Sequence, residues 1–193
     1  MQRRQFLRQA SLLTAVLAPG WLPAAPPARK VGLQLYTLRE YIGQDVAGVL
    51  AKVAKAGYTE IETYGYSAQN GFWGLSAAQF KAALQKHGLT TPSGHYDMAS
   101  YFRDDDRDTL KKYIEAARTC GQTYLTVPYL DEKLRGASAA DFQAIAEKLN
   151  RAGELCQAGG LRLCYHNHDF EFKPAGGTTL YAVLLRDVTP SLV

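Results

Sequence analysis

The densest concentration of reactive side chains is the run Tyr165-His-Asn-His-Asp-Phe-Glu171. It closes the β-rich stretch Leu161–His168, in which strand alternation sets His166 and His168 on one face and Tyr165 and Asn167 on the other. Two imidazoles at i and i+2 with carboxylates nearby can bind a divalent metal or move a proton. Similar mixtures follow the earlier β-rich stretches: Tyr36 and Arg39, then Glu62, Tyr64 and Tyr66, then His95 and Tyr96, then Pro128 and Tyr129. Aromatic faces for C–H surfaces, beside carboxylates, imidazoles and amides for hydroxyls, are what a sugar pocket needs. Glu62 is preferred to Glu60 as a functional acid because it lies closer to the Tyr64-Gly-Tyr66 loop, although ideal alternation puts both on one side. Other polar runs carry less. Asp104-Asp105-Asp106 suits a helix start, and His87 beside Gly88 suits a helix end. Cys120 and Cys156 on predicted helices, and Cys164 in a strand, read as small buried thiols.

Five β-rich stretches position these groups: Val31–Leu38, Thr59–Tyr64, Leu89–Ser93, Thr123–Val127 and Leu161–His168. Between them, apolar residues recur at helical spacing: Val46, Val49, Leu50 and Val53; Phe80, Ala83 and Leu84; Ile114 and Ala117; Phe142, Ile145, Leu149 and Leu155. Ser76-Ala-Ala-Gln79 and Ser138-Ala-Ala-Asp141 have the form of capping boxes. Gly57, Gly88, Gly121 and Gly160, at separations of 31, 33 and 39 residues, stand where helices end before strands. This is the rhythm of a βα repeat with a parallel sheet, whose chemistry collects at the C-terminal strand ends. A helix is expected around Leu180–Arg186, and Pro190–Val193 could begin a sixth strand. The expected fold is a (β/α)8 TIM barrel with only the first five to six βα units present, since a full barrel takes about 250 residues. A doubly wound sheet is the competitor, but the turn Tyr36-Thr-Leu-Arg-Glu40 holds no glycine-rich phosphate loop.

Composition excludes other classes. With 47% hydrophobic and 21% charged residues, the chain of 193 residues is neither disordered nor collagen-like. Three cysteines make no disulfide framework. The net charge of +4 is concentrated at the N-terminus: Arg3, Arg4 and Arg8 lie in residues 1–28 with no acid, leaving 19 basic and 18 acidic side chains beyond them. No basic stripe for nucleic acid is visible. Residues 1–28, with Arg3-Arg4 ahead of Phe6-Leu7 and the apolar run Ala10–Leu17, have the order of a twin-arginine signal. The run is too short to span a membrane. A periplasmic protein without a stable membrane anchor is therefore expected, with residues 29–193 as the mature domain.

Val31-Gly-Leu-Gln-Leu-Tyr-Thr-Leu38, Tyr58-x-Glu-Ile-Glu62, Ser93-Gly-His95 and Tyr165-His-Asn-His-Asp-Phe-Glu-Phe172 resemble the xylose-isomerase-like TIM-barrel family of sugar phosphate isomerases and epimerases, in its exported branch. The resemblance covers residues 30–193. It implies a divalent metal (Mn, Zn or Co), bound by Glu, Asp, His and Glu from strands 5 to 8. Here the strand-5 glutamate gives way to the Tyr165–His168 run, which leaves His166 or His168 as the metal ligand. The implied chemistry is isomerisation or epimerisation of a sugar through an enediolate, or β-elimination from a keto-glycoside by the same enolate. In that scheme His168 or Glu62 moves protons, and His95 and Asn167 hold hydroxyls. Tyr96 or Trp73 covers the sugar face, Tyr36 contributes at the first strand end, and Glu171 stands near substrate hydroxyls. Export favours an unphosphorylated sugar or glycoside as the small-molecule partner. A non-catalytic carbohydrate-binding fragment is the alternative. The superfamily's DNA-repair endonucleases fit poorly with export and a near-neutral mature chain.

Overall fold

The computed structural model describes residues 31–193, so the signal expected in residues 1–28 lies outside the described residues. Five strands form one sheet: β1 (Gly32–Gln34), β2 (Glu60–Thr63), β5 (Thr90–His95), β6 (Tyr124–Val127) and β7 (Arg162–Tyr165). Each pairs in parallel with the next in that order. A doubly wound sheet reverses its strand order at a switch point. This sheet runs in one direction, as a barrel wall does. A small antiparallel hairpin, β3 (Tyr66–Ser67) with β4 (Gly71–Phe72), follows β2.

The connecting helices are α1 (Arg39–Ile42), α2 (Val46–Lys55), α3 (Ala77–Lys86), α4 (Ala99–Asp104), α5 (Arg107–Cys120), α6 (Ala139–Ala158) and α7 (Leu180–Asp187). Both expected capping boxes are present, Ser76 with Gln79 on α3 and Ser138 with Asp141 on α6. Asp106 caps α5 by accepting from the Thr109 N–H at 3.0 Å, as the acidic run suggested. Gly121 ends α5 in the left-handed region, at φ 82°. Pro190–Val193 is a turn rather than a strand, because Leu192 and Val193 both donate their N–H to the Thr189 carbonyl. Among the described residues no helix is long and apolar enough to cross a membrane.

Strand alternation divides the sheet. Ile61, Leu125 and Leu163 are buried in one apolar cluster with Leu50, Val53, Phe80, Leu84, Ile114 and Leu149 from the helices. The intervening residues Gln34, Glu62 and Ser93 are polar and stand in one row, since Gln34 is in register with Glu62 and Glu62 with Ser93. Cys120 and Cys156 are buried, and burial pushes their thiols up to about 11 and about 12, which makes them inert packing groups. Tyr96, expected over a sugar face, is instead a core residue. It is fully buried with its ring against Tyr66 and Tyr113, and its hydroxyl donates to Gln122 Oε1 at 2.8 Å.

Candidate active site

The C-terminal ends of the strands open into a cavity of about 620 Å³. Tyr36 and Gln34 enter from the end of β1, Tyr64, Gly65 and Tyr66 from the β2 loop, and His95 and Asp97 from β5. Pro128, Tyr129 and Asp131 follow β6, and His166 and His168 follow β7. The first wall is aromatic. Tyr36 meets Tyr64 edge-on at 5.1 Å, and Tyr64 meets Trp73 at 5.2 Å. Trp73 therefore backs the wall and does not line the cavity, contrary to its expected place over the sugar.

The opposite wall is an imidazole ladder. The backbone ladder continues one residue beyond β7, because the His166 N–H donates to the Val127 carbonyl at 3.0 Å. This keeps His166 and His168 on one side, where their rings stack at 4.8 Å with planes 9° apart. His168 also stacks on Phe170 at 5.8 Å and meets Tyr129 edge-on at 5.1 Å. His95 faces His166 with ring centroids 5.3 Å apart.

Glu171 holds this end of the chain and does not face the cavity. It is fully buried, with Oε1 accepting from the Tyr165 hydroxyl and Oε2 from the His168 N–H, both at 2.7 Å. Burial first, and then this carboxylate, push the Tyr165 phenol far up. Its expected role beside substrate hydroxyls is corrected accordingly. Asn167 is also outside the cavity. It is exposed, bonds weakly to the His168 carbonyl at 3.4 Å, and borders a separate groove beside Tyr165 and Tyr181. Alternation at the strand end sets Asn167 with Tyr165, on the side away from His166 and His168.

Glu62 stands beside Gln34 and Ser93 with its side chain partly exposed. Gln34 Nε2 donates to its Oε2 at 2.5 Å, the Ser93 hydroxyl donates to its Oε1, and His95 Nε2 stands 3.3 Å from Oε2. Thr126 Oγ1 extends the chain, 3.2 Å from Ser93 Oγ. The carboxylate is not among the groups that line the cavity, whereas Gln34 and His95 are. The sequence alone does not single out Gln34 and Ser93, which only the register sets beside Glu62, nor Thr126, which is in register with His95.

Burial lowers the pKa of His95, and His166 and His168 lower it further, while Glu62 opposes them. The folded protein thus favours the neutral ring. His95 contributes stability that is present above its unfolded value of 6.5 and is lost as the pH falls through its lower folded value. Wild type should therefore lose melting temperature between pH 7 and pH 5 more steeply than His95→Gln. Parallel slopes in a calorimetric pH series would contradict this assignment. The depressed carboxylates Asp105, Asp106 and Asp141 titrate below 3.8, outside that window.

The implied metal finds no complete set of ligands. Among the described residues, no group of three His, Cys, Asp or Glu side chains is arranged to hold one. Moreover, two imidazoles sharing an ion at about 2.0–2.1 Å must converge on it. The His166 and His168 rings lie parallel, so their in-plane lone pairs do not converge, and these two expected ligands do not form a metal pair. His168 Nδ1 is buried without a hydrogen-bond partner, and is the only such side-chain nitrogen or oxygen among the described residues.

Comparison with known proteins decides the kinship. The model of the xylose isomerase-like TIM barrel matches residues 50–186. The chain belongs to this family. Among curated proteins no match was found. Among solved structures, a sugar phosphate isomerase/epimerase from Parabacteroides distasonis ATCC 8503 superposes with a TM-score of 0.76 at 26% identity, covering 92% of this chain and 68% of that one. A second sugar phosphate isomerase/epimerase from the same organism gives 0.71 at 24% identity, covering 84% and 66%. The IOLI protein, with a bound zinc atom, gives 0.55 at 14% identity, covering 71% and 51%. The chain thus spans about two thirds of the length of the two Parabacteroides members and about half of the third.

Proposed function

We propose that this protein is a sugar isomerase or epimerase that transfers a proton next to a carbonyl through an enediolate. The observation that carries the proposal is three imidazoles, His95, His166 and His168, side by side in a cavity whose opposite wall is Tyr36 and Tyr64. An aromatic wall suits the C–H face of a sugar ring, and imidazole exchanges protons near neutral pH. The two Parabacteroides sugar phosphate isomerases/epimerases support the same reaction class.

The zinc in IOLI supports a divalent metal in the full active centre, but the described residues do not complete a ligand set for one. His95, His166 and His168 hold or move protons, and Tyr36, Tyr64 and Tyr129 orient the ring and exclude water. The twin-arginine pattern in residues 1–28 supports a periplasmic address and an unphosphorylated sugar or glycoside as substrate.

The test is solvent exchange. In deuterated water, the protein supplied with Mn²⁺ or Co²⁺ should place deuterium next to the carbonyl of a ketose or 3-keto-glycoside, read by NMR. Loss of the aglycone from the keto-glycoside would assign the lyase variant of this chemistry. Neither outcome across a broad panel of sugars would end the proposal. His168→Ala should abolish turnover while moving the melting temperature little. The ring it removes carries an unpartnered buried nitrogen, whose cost of about 1–3 kcal/mol offsets much of the stacking it supplies. Unfolding of this variant would make His168 a structural residue.

A further inference from the structure

Arg135 stands in the loop between β6 and α6, partly buried, and does not line the cavity. Its guanidinium is nevertheless held by contacts in several directions. Nε donates to the Leu130 carbonyl at 2.9 Å, and Leu130 is fully buried, so this anchor is fixed. A terminal nitrogen donates to the Tyr129 hydroxyl. The flat cation lies over the Phe170 ring, with Cζ 3.6 Å from its centroid, and Cζ is 5.0 Å from the centroid of Tyr129. These contacts join two loops, because Tyr129, Leu130 and Arg135 follow β6 whereas Phe170 follows β7. Both rings touched by the guanidinium also touch His168. Phe170 stacks on it at 5.8 Å with planes 12° apart, and Tyr129 meets it edge-on at 5.1 Å. His168 Nδ1 is buried without a hydrogen-bond partner, so nothing polar fixes the ring at that atom and packing carries more of its orientation.

We propose that Arg135 is a positioning residue that clamps Tyr129 and Phe170 and thereby fixes the His168 ring at the cavity. The inference rests on the isomerase reading above, in which His168 holds or moves a proton, and adds a residue to that site. A planar guanidinium presents its face to Phe170 while its edge donates to Leu130 and Tyr129, which the ammonium of a lysine cannot do. Displacing a reacting group by about 1 Å can cost about 10²-fold in rate. The clamp acts on His168 and does not touch the Tyr36 and Tyr64 wall, so its loss should fall on kcat more than on KM.

Two measurements on the full chain test this. The first is deuterium exchange into D-fructose and methyl 3-keto-glucoside by wild type, Arg135→Ala and Arg135→Lys. Arg135→Ala should lower kcat about 10–10²-fold and change KM less. Guanidinium ion, added well below denaturing concentrations, should restore part of that rate. Arg135→Lys should lose nearly as much, although it keeps the charge. The second is the nuclear Overhauser contact between the Tyr129 and His168 rings, assigned through His168→Gln. Wild type should show this contact and Arg135→Ala should lose it. Its absence from wild type, or its persistence in Arg135→Ala, overturns the clamp. So does retention of more than about half of the wild-type kcat by either variant. A wild type that exchanges neither sugar overturns the isomerase reading, and the Overhauser contact then decides the clamp by itself.

Discussion

Gly94→Ala is expected to cost about 3–4 kcal/mol of stability, although the position is an ordinary extended residue inside β5. A Cβ there would lie 2.3 Å from Thr63 Oγ1 and 2.8 Å from Gln122 Nε2. Neither atom has room to give. Gln122 is buried, its amide reaching Thr63 Oγ1 at 2.9 Å and Thr91 Oγ1 at 3.2 Å while its oxygen accepts from Tyr96 at 2.8 Å. Overpacking costs about 1–3 kcal/mol, and leaving a buried amide unsatisfied adds about 1–3 more. At about 2–4 °C per kcal/mol for a domain of this size, the melting temperature should fall by about 10 °C. Thr63→Ala in the same chain should restore part of the loss, a coupling readable in a double-mutant cycle. A cost below about 0.5 kcal/mol would show that β5 shifts freely. Because Ser93 and His95 flank Gly94, such a shift would also displace the groups around Glu62.

The second large effect is expected at Glu171, where alanine and glutamine should part company. Glu171→Ala leaves the Tyr165 hydroxyl and the His168 N–H without their acceptor, at about 1–3 kcal/mol each, together with a small cavity. The expected loss is about 3 kcal/mol, with a loosened His168. Glu171→Gln can satisfy both neighbours. Its amide oxygen accepts from the His168 N–H, and its NH2 donates to the Tyr165 oxygen, which accepts as readily as it donates. That variant should stay within about 1 kcal/mol of wild type. Chemical denaturation of both variants decides the matter, and equal losses would mean that the negative charge itself is required.

The helices, the parallel sheet and their punctuation were legible in the sequence because they follow from local periodicity. Val46–Val53, Phe80–Leu84 and Phe142–Leu155 all fall within observed helices, and both capping boxes formed. The site was legible only where it follows a strand directly. His95, His166, His168 and Tyr36 reach the cavity from strand ends. Asn167 follows alternation onto the Tyr165 side, away from the stacked histidines, while Glu171 lies in a 3-10 turn over Phe170–Phe172 that has no strand period. The packing of Tyr96 and Trp73 depends on the hairpin of Tyr66–Phe72, whose two-residue strands are too short to show a period in the sequence. That hairpin brings Phe72 and Tyr66 against them and makes them packing groups. The neighbours of Glu62 depend on register between strands some thirty residues apart, which no local pattern encodes.

The indole of Trp73 has its own use. It touches Tyr64 on one side and Phe80 on the other, and Tyr64 in turn lines the cavity. The chain has two tryptophans, and the other, Trp21, falls in the expected signal, so residues 29–193 carry a single indole, packed against a tyrosine of the cavity wall. Its emission is then an optical gauge of occupancy, independent of turnover.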